Sequence, residues 1–279
     1  MPASVKHTRA QAEIFHDVVS RLGANPELIR HDGELAAMAD SLGNMSAEYM
    51  NDIQRAFAGG DERGYTADTG AKANLRGLET YDGLIDFLRA TAEDPDAYAT
   101  ITHAQQAVTT DMMREALTDP GDNPLSNVAE VAAKPGGVIS GITAEGRAEA
   151  IAAADDGVEK SEEFNSRMAT LDEYVTKLVD MTVAQVPVGG DAAGAVIGKI
   201  QESVFGHFIQ DPEEAAREIE ENRKDYLEGQ RERAAQASKR AVFDGAERAG
   251  LSRESDDVKL AADAVYQEVN DSYADGKGR

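Results

Sequence analysis

Apolar residues recur along this chain at intervals of three and four, and nowhere does a run of β-branched residues alternate with polar ones between turns. That pattern predicts helices and no sheet. A first helix is expected from about Val5 to Leu22, with Ile14, Phe15, Val18, Val19 and Leu22 on one face and Gly23 as its C-terminal cap. Asn25 and Pro26 open a short helical turn. Leu35, Met38, Leu42, Met45, Tyr49, Ile53 and Phe57 then form a single stripe on one helix, closed by Gly59 and Gly60. Residues 61–70 read as a polar loop. A helix from Ala71 to Ala92 turns Leu84, Ile85 and Leu88 inward. Asp94 caps the next helix, which begins at Pro95 and ends near Thr118, with Ile101, Ala104, Val108, Met112 and Leu117 on its buried side.

The stretch DPGDNPLSN follows as a linker, then a short helix over Leu125–Ala133, then a second break at Lys134-Pro135-Gly136-Gly137. Residues 138–186 hold no proline and are expected to form one helix roughly 70 Å long at ~1.5 Å per residue, although Gly141, Gly146 and Gly157 weaken its first half. Phe164, Met168, Leu171, Val175 and Leu178 give that helix a coiled-coil seam. Pro187-Val188-Gly189-Gly190 ends it, and a second apolar helix, Asp191–Ile209, turns back. Asp211-Pro212 starts a highly charged helix to about Gly250, Ser252 caps a last helix carrying Val258, Ala262, Val265 and Val269, and the tail DGKGR frays. The expected fold class is therefore all-α: a multi-helix bundle with a long helix and an apolar helical hairpin in the C-terminal half. Its expected parts are an N-terminal helical bundle over 1–120, a linker with a short helix over 121–137, and a long helical hairpin or bundle region over 138–275.

Composition narrows the function. The 279 residues carry 28 Lys and Arg against 52 Asp and Glu, a formal net charge of −24, and no Cys or Trp. Without cysteine there is no disulfide framework, no thiolate metal site and no cysteine nucleophile. So acidic a chain is not built for nucleic acid, which requires a basic surface. The apolar stretches are too short to span a bilayer as one helix. The N-terminal residues lack an apolar signal segment, so the chain is expected to stay in the cytoplasm after synthesis unless a non-classical route exports it.

Each candidate for chemistry has a simpler competitor. The stretch VPVGGDAAGAVIGKI suggests a phosphate-binding loop, but Ala193 stands where its first Gly is required and Ile200 where its hydroxyl is required, so no cofactor is assigned. Gly190, Gly194 and Gly198 instead share one helix face, a spacing that permits close helix approach. With Val188, Val196, Ile197 and Phe205 they define a candidate hairpin and interaction surface, whose arms could also enter a membrane after acidification. His31, Asp32 and Glu34 could supply metal ligands, but Asp32 is read as a cap for a helix beginning near Glu34. His103, flanked by Gln105, Gln106 and two threonines, is read as part of a polar helix face. The acidic pairs Asp155-Asp156, Glu162-Glu163, Glu213-Glu214 and Glu220-Glu221 fit no calcium-loop spacing. No catalytic or metal residue is assigned.

Four stretches carry a family resemblance: SLGNMSAEYMNDIQRAF, AYATITHAQQAVTTDMMREAL, ISGITAEGRAEAIAAADD and VTKLVDMTVAQVPVGGDAAGAVIGKIQESVFG, in that order over about residues 41–206. Together they resemble helical proteins of actinobacteria found near type VII secretion systems or as toxin-delivery regions, in which a long Ala-rich helix precedes a Pro-Gly-Gly apolar hairpin. The chain departs from the secreted partners of that system in two ways. It has no Trp for a Trp-x-Gly turn, and no tyrosine is followed four residues later by Asp or Glu, the positions after Tyr49, Tyr174 and Tyr266 being Ile53, Leu178 and Asn270. The resemblance transfers no catalytic residue. The function expected is a non-enzymatic helical interaction, delivery or scaffold protein that binds a protein partner or itself. The alternative is a membrane-active protein that inserts the 175–209 hairpin.

Overall fold

The computed structural model describes residues 6–58, 69–76, 78–153 and 212–278. The hairpin residues Val188, Gly190, Gly194, Val196, Ile197, Gly198 and Phe205 and the seam residues Phe164, Met168, Leu171, Val175 and Leu178 lie outside them. Within them the protein is all-α, a multi-helix bundle. Helix α1 spans Arg9–Gly23, α2 Ala39–Glu48, α3 Met50–Phe57, α4 Leu78–Thr91, α5 Pro95–Thr118 and α6 Leu125–Ala153; α7 spans Pro212–Arg248 and α8 Asp256–Lys277.

A capping box starts α1. The Thr8 hydroxyl accepts from the Gln11 N–H, and the Gln11 side chain accepts from the Thr8 N–H at 2.8 Å. Its buried face is Ala12, Phe15 and Val19. Ile14, expected on that face, is 58% exposed, because one residue before Phe15 is a rotation of about 100° away from it.

The stripe from Leu35 to Phe57 is three elements rather than one helix. A 3₁₀ turn over Ala36–Met38 leads into α2, and Tyr49, with φ −98° and ψ 16°, separates α2 from α3. Asp32 caps nothing: no side chain caps that 3₁₀ turn, and Met38 is 45% exposed. The break at Tyr49 seats its ring on two others, His7 at 4.0 Å and Phe15 at 4.3 Å between centroids. The next helix, expected from Ala71, begins only at Leu78 as α4. Tertiary partners take the N–H groups that a helix start would otherwise leave open: Ala71 donates to the His7 carbonyl at 2.9 Å, and Ala73 to Asp52 Oδ2 at 2.9 Å. Asn74 is left-handed, with φ 49°. Arg76 donates twice to the Arg55 carbonyl, at 3.0 and 2.8 Å, and so closes the end of α3.

Asp94 caps α5 as its sequence predicts, accepting from Asp96 and Ala97 at 3.0 and 2.9 Å. The break expected at Lys134–Gly137 is absent, and α6 runs through Pro135. The proline forfeits one helical hydrogen bond. Burial offsets that loss, because α6 lies in all three apolar clusters. Val138, Ile139 and Ile142 join the core built on Phe15, Met50, Leu84 and Phe87. Val128, Ala129, Ala132 and Ala133 join Met113, Val242 and Val265, while Ala144 and Ala148 join Tyr98, Leu227 and Tyr273.

The last helix is capped by Ser255, not Ser252; its hydroxyl accepts from the Val258 N–H. The tail expected to fray is helical through Lys277, because Gly276 is pressed against the Val138 carbonyl of α6. Gly137 and Gly141 face the same crossing, where β-carbons would meet Ser272 and the Tyr273 carbonyl. A close approach of the kind that glycine spacing suggests at 190–198 is therefore present at the α6–α8 crossing.

Candidate functional site

Among the described residues one chain of buried polar groups forms a seam that starts at the α4–α5 turn and crosses α5, α6, α7 and α8. Glu93 sits in that turn, with its side chain 2% exposed. One of its oxygens accepts from both the His31 N–H at 2.9 Å and the His31 ring Nδ1 at 2.8 Å. A carboxylate can only accept, so Nδ1 carries the hydrogen. Arg30 Nε lies 3.5 Å from the other oxygen. The Glu93 carbonyl accepts from Arg147 of α6. The α1–α2 connection, the α4–α5 turn and α6 are thus tied at a single residue.

Three tyrosines continue the seam. Tyr98 on α5 donates to Gln230 Oε1 on α7 at 3.2 Å. Tyr273 on α8 donates to the Leu227 carbonyl on α7 at 3.1 Å. Tyr226 is buried beside Tyr98. Burial raises all three phenols above their ordinary value, Tyr226 and Tyr273 well above it. Tyr98 and Tyr273 therefore act as hydrogen-bond donors and not as bases, while the Tyr226 hydroxyl is buried without a hydrogen-bond partner. Glu145 on α6 pairs with Arg223 on α7, and its other oxygen, Oε2, is buried without a partner.

A second polar group lies at the N-terminal end of the bundle. His7 stacks on Tyr49, and its Nε2 is 3.9 Å from Glu48. Burial raises the Asp52 carboxyl, against the lowering effects of the Ala73 hydrogen bond and of Arg55, His7 and Lys72. A third group is neutral. Gln54 Nε2 donates to the Gln105 carbonyl at 2.9 Å and to Thr109 Oγ1 at 3.1 Å, and Ser140 donates to Gln105 Oε1 at 3.2 Å. The polar face predicted around His103 is thus partly turned inward through Gln105 and Thr109, and burial lowers His103 itself. Among the described residues no group of three or more His, Cys, Asp or Glu is placed to hold a metal ion.

Of the seam residues, only His31 stands out in the sequence, and its partner is Glu93 rather than Asp32 or Glu34. Two signals point further. Arg147 is the lone cation in the Ala- and Glu-rich stretch ITAEGRAEA, where a long charged side chain on a packed helix face needs a buried acceptor. Tyr98 and Tyr273 are large rings with a polar tip, a combination that finds a hydrogen-bond partner when it is buried. Comparison with known proteins brings no relative: no family model, curated protein or solved structure matches the chain.

Proposed function

We propose that this chain is a non-enzymatic helical interaction or scaffold protein that presents its acidic helix faces to a protein partner or to a second copy. The observation that carries this reading is the use of the seam. Side chains with catalytic potential are engaged across elements: His31 with Glu93, Tyr98 with Gln230, Tyr273 with the Leu227 carbonyl, and Glu145 with Arg223. Each joins elements distant in sequence, which is how a frame is held and not how a reacting group is presented. A link to type VII secretion is part of the proposal and is supported by the resemblance of the four stretches alone. Among the described residues no helix is long and apolar enough to cross a membrane.

Sedimentation of the purified protein across a salt series, paired with vesicle flotation at neutral and mildly acidic pH, tests the reading. A second copy of so acidic a chain associates more tightly as salt screens self-repulsion, whereas a basic partner binds less tightly. The expected result is self-association that strengthens with salt, or a stoichiometric complex with a basic protein that weakens with salt, with no flotation in either case. Flotation at acidic pH by a protein that stays monomeric at every salt concentration overturns the interaction reading in favour of hairpin insertion.

A further inference from the structure

We propose that α7 is built in two parts, and that residues 223–231 form a polar latch that opens while the C-terminal part of the helix stays docked. The two parts are held by different chemistry. Residues 235–246 place Ala235, Ala241, Val242 and Ala246 in the apolar cluster with Met113, Leu117, Val258, Ala262 and Val265. Residues 223–231 bury one aliphatic side chain, Leu227, beside the Tyr226 ring. These two join only the small apolar cluster of Ala92, Tyr98, Ala144, Ala148 and Tyr273, and the rest of the fastening is polar: Arg223 to Glu145, the Leu227 carbonyl to Tyr273, and Gln230 to Tyr98.

Polar ties of this kind hold weakly. Opening returns each donor and acceptor to water, so the net gain from a closed bond is a fraction of its gross strength. The Arg223 side chain is 26% exposed and that of Glu145 10%, so the pair is partly buried and the hydration both groups regain on opening offsets much of its attraction. The unpartnered Glu145 Oε2 is a cost of the closed state that opening relieves. The apolar cluster under residues 235–246 has no such compensation, because exposing Val242 and Ala246 brings no new bond. Local opening therefore divides α7 between Arg231 and Ala235. Gly229 sits just inside the latch, where a β-carbon would find nothing within 4 Å. What opening uncovers is specific: Tyr98 of α5, Ala144 and Ala148 of α6, and Tyr273 of α8, an aromatic and small-residue face that is otherwise sealed.

Hydrogen exchange on the full chain, read by mass spectrometry, tests the division. After correction for intrinsic rates, amides of 223–231 should exchange at least about tenfold faster than those of 238–246, as expected for a sub-global opening. Tyr98→Phe, which deletes one hydroxyl, should speed 223–231 by about fivefold. Val242→Ala should speed 238–246 by about tenfold or more and leave 223–231 at its original rate, because the latch opens without breaking the Val242 contacts. Equal protection of the two stretches, or Val242→Ala accelerating both by the same factor, shows that α7 opens as one piece and overturns the proposal.

Discussion

At Gly141 a β-carbon would collide with the Tyr273 carbonyl of α8 and come within 2.8 Å of the Lys277 N. Both are backbone, so neither can swing aside. At Gly229, also inside a helix, nothing lies within 4 Å. The same substitution therefore has opposite signs at the two positions. In each, alanine removes the entropic cost of glycine in a helix, worth ~0.5–1 kcal/mol. At Gly229 that gain stands alone, and Gly229→Ala should raise the melting temperature by a few degrees. At Gly141 the collision separates α6 from α8, and an overpacking penalty of ~1–3 kcal/mol or more outweighs the gain. Thermal unfolding of the two variants checks the pair; a stabilised Gly141→Ala would show that the α6–α8 crossing is looser than its geometry.

Among the elements, the start of α8 shows how far local signals reach. Ser252 and Ser255 both precede the apolar repeat Val258, Ala262, Val265, Val269, and either could cap it. Sequence alone points to Ser252. The structure uses Ser255, whose hydroxyl accepts from Val258 at 3.3 Å, while Ser252 accepts from Glu254 in the turn before. Ser255→Ala should cost ~1 kcal/mol and Ser252→Ala a few tenths, measured by denaturant unfolding. The elements most legible in the sequence are those with a single strong terminus: α5 has Asp94 and Pro95 at its start, and α7 has Pro212 at its start and Gly250, with φ 76°, just past its end. The least legible turn on long-range partners. Pro135 is a reliable stop in a solvated helix, but α6 is buried in three clusters and continues through it. Ala71 and Ala73 have helical propensity, but His7 and Asp52 claim their N–H groups.

At the scale of the whole molecule, the all-α class was legible because the period of apolar residues is a local property. The seam was not, because its ties join His31 to Glu93, Tyr98 to Gln230, Glu145 to Arg223 and Leu227 to Tyr273. No spacing rule connects such pairs. The seam and the surface should also respond differently to salt. Even with every Lys and Arg paired, the chain keeps a net charge of −24, so its surface repels itself and opposes the compact state. Exposed pairs such as Arg9 with Glu13 and Lys259 with Glu254 offset little of that, while the Glu93 carboxylate is 2% exposed and holds the half-exposed His31 ring by a direct 2.8 Å hydrogen bond, a contact-range tie that screening weakens little. Raising sodium chloride from ~0.02 to ~0.5 M shortens the Debye length from about 20 Å to about 4 Å. Screening over that range should weaken the repulsion more than the few surface pairs, and the melting temperature should rise by a few degrees. His31→Ala should lower the melting temperature by a similar amount at both salt concentrations, since it removes a direct hydrogen bond to a buried carboxylate. A melting temperature that falls with salt would mean that surface ion pairs outweigh the net repulsion, and a His31→Ala effect that disappears at high salt would place the Glu93 tie within reach of solvent ions.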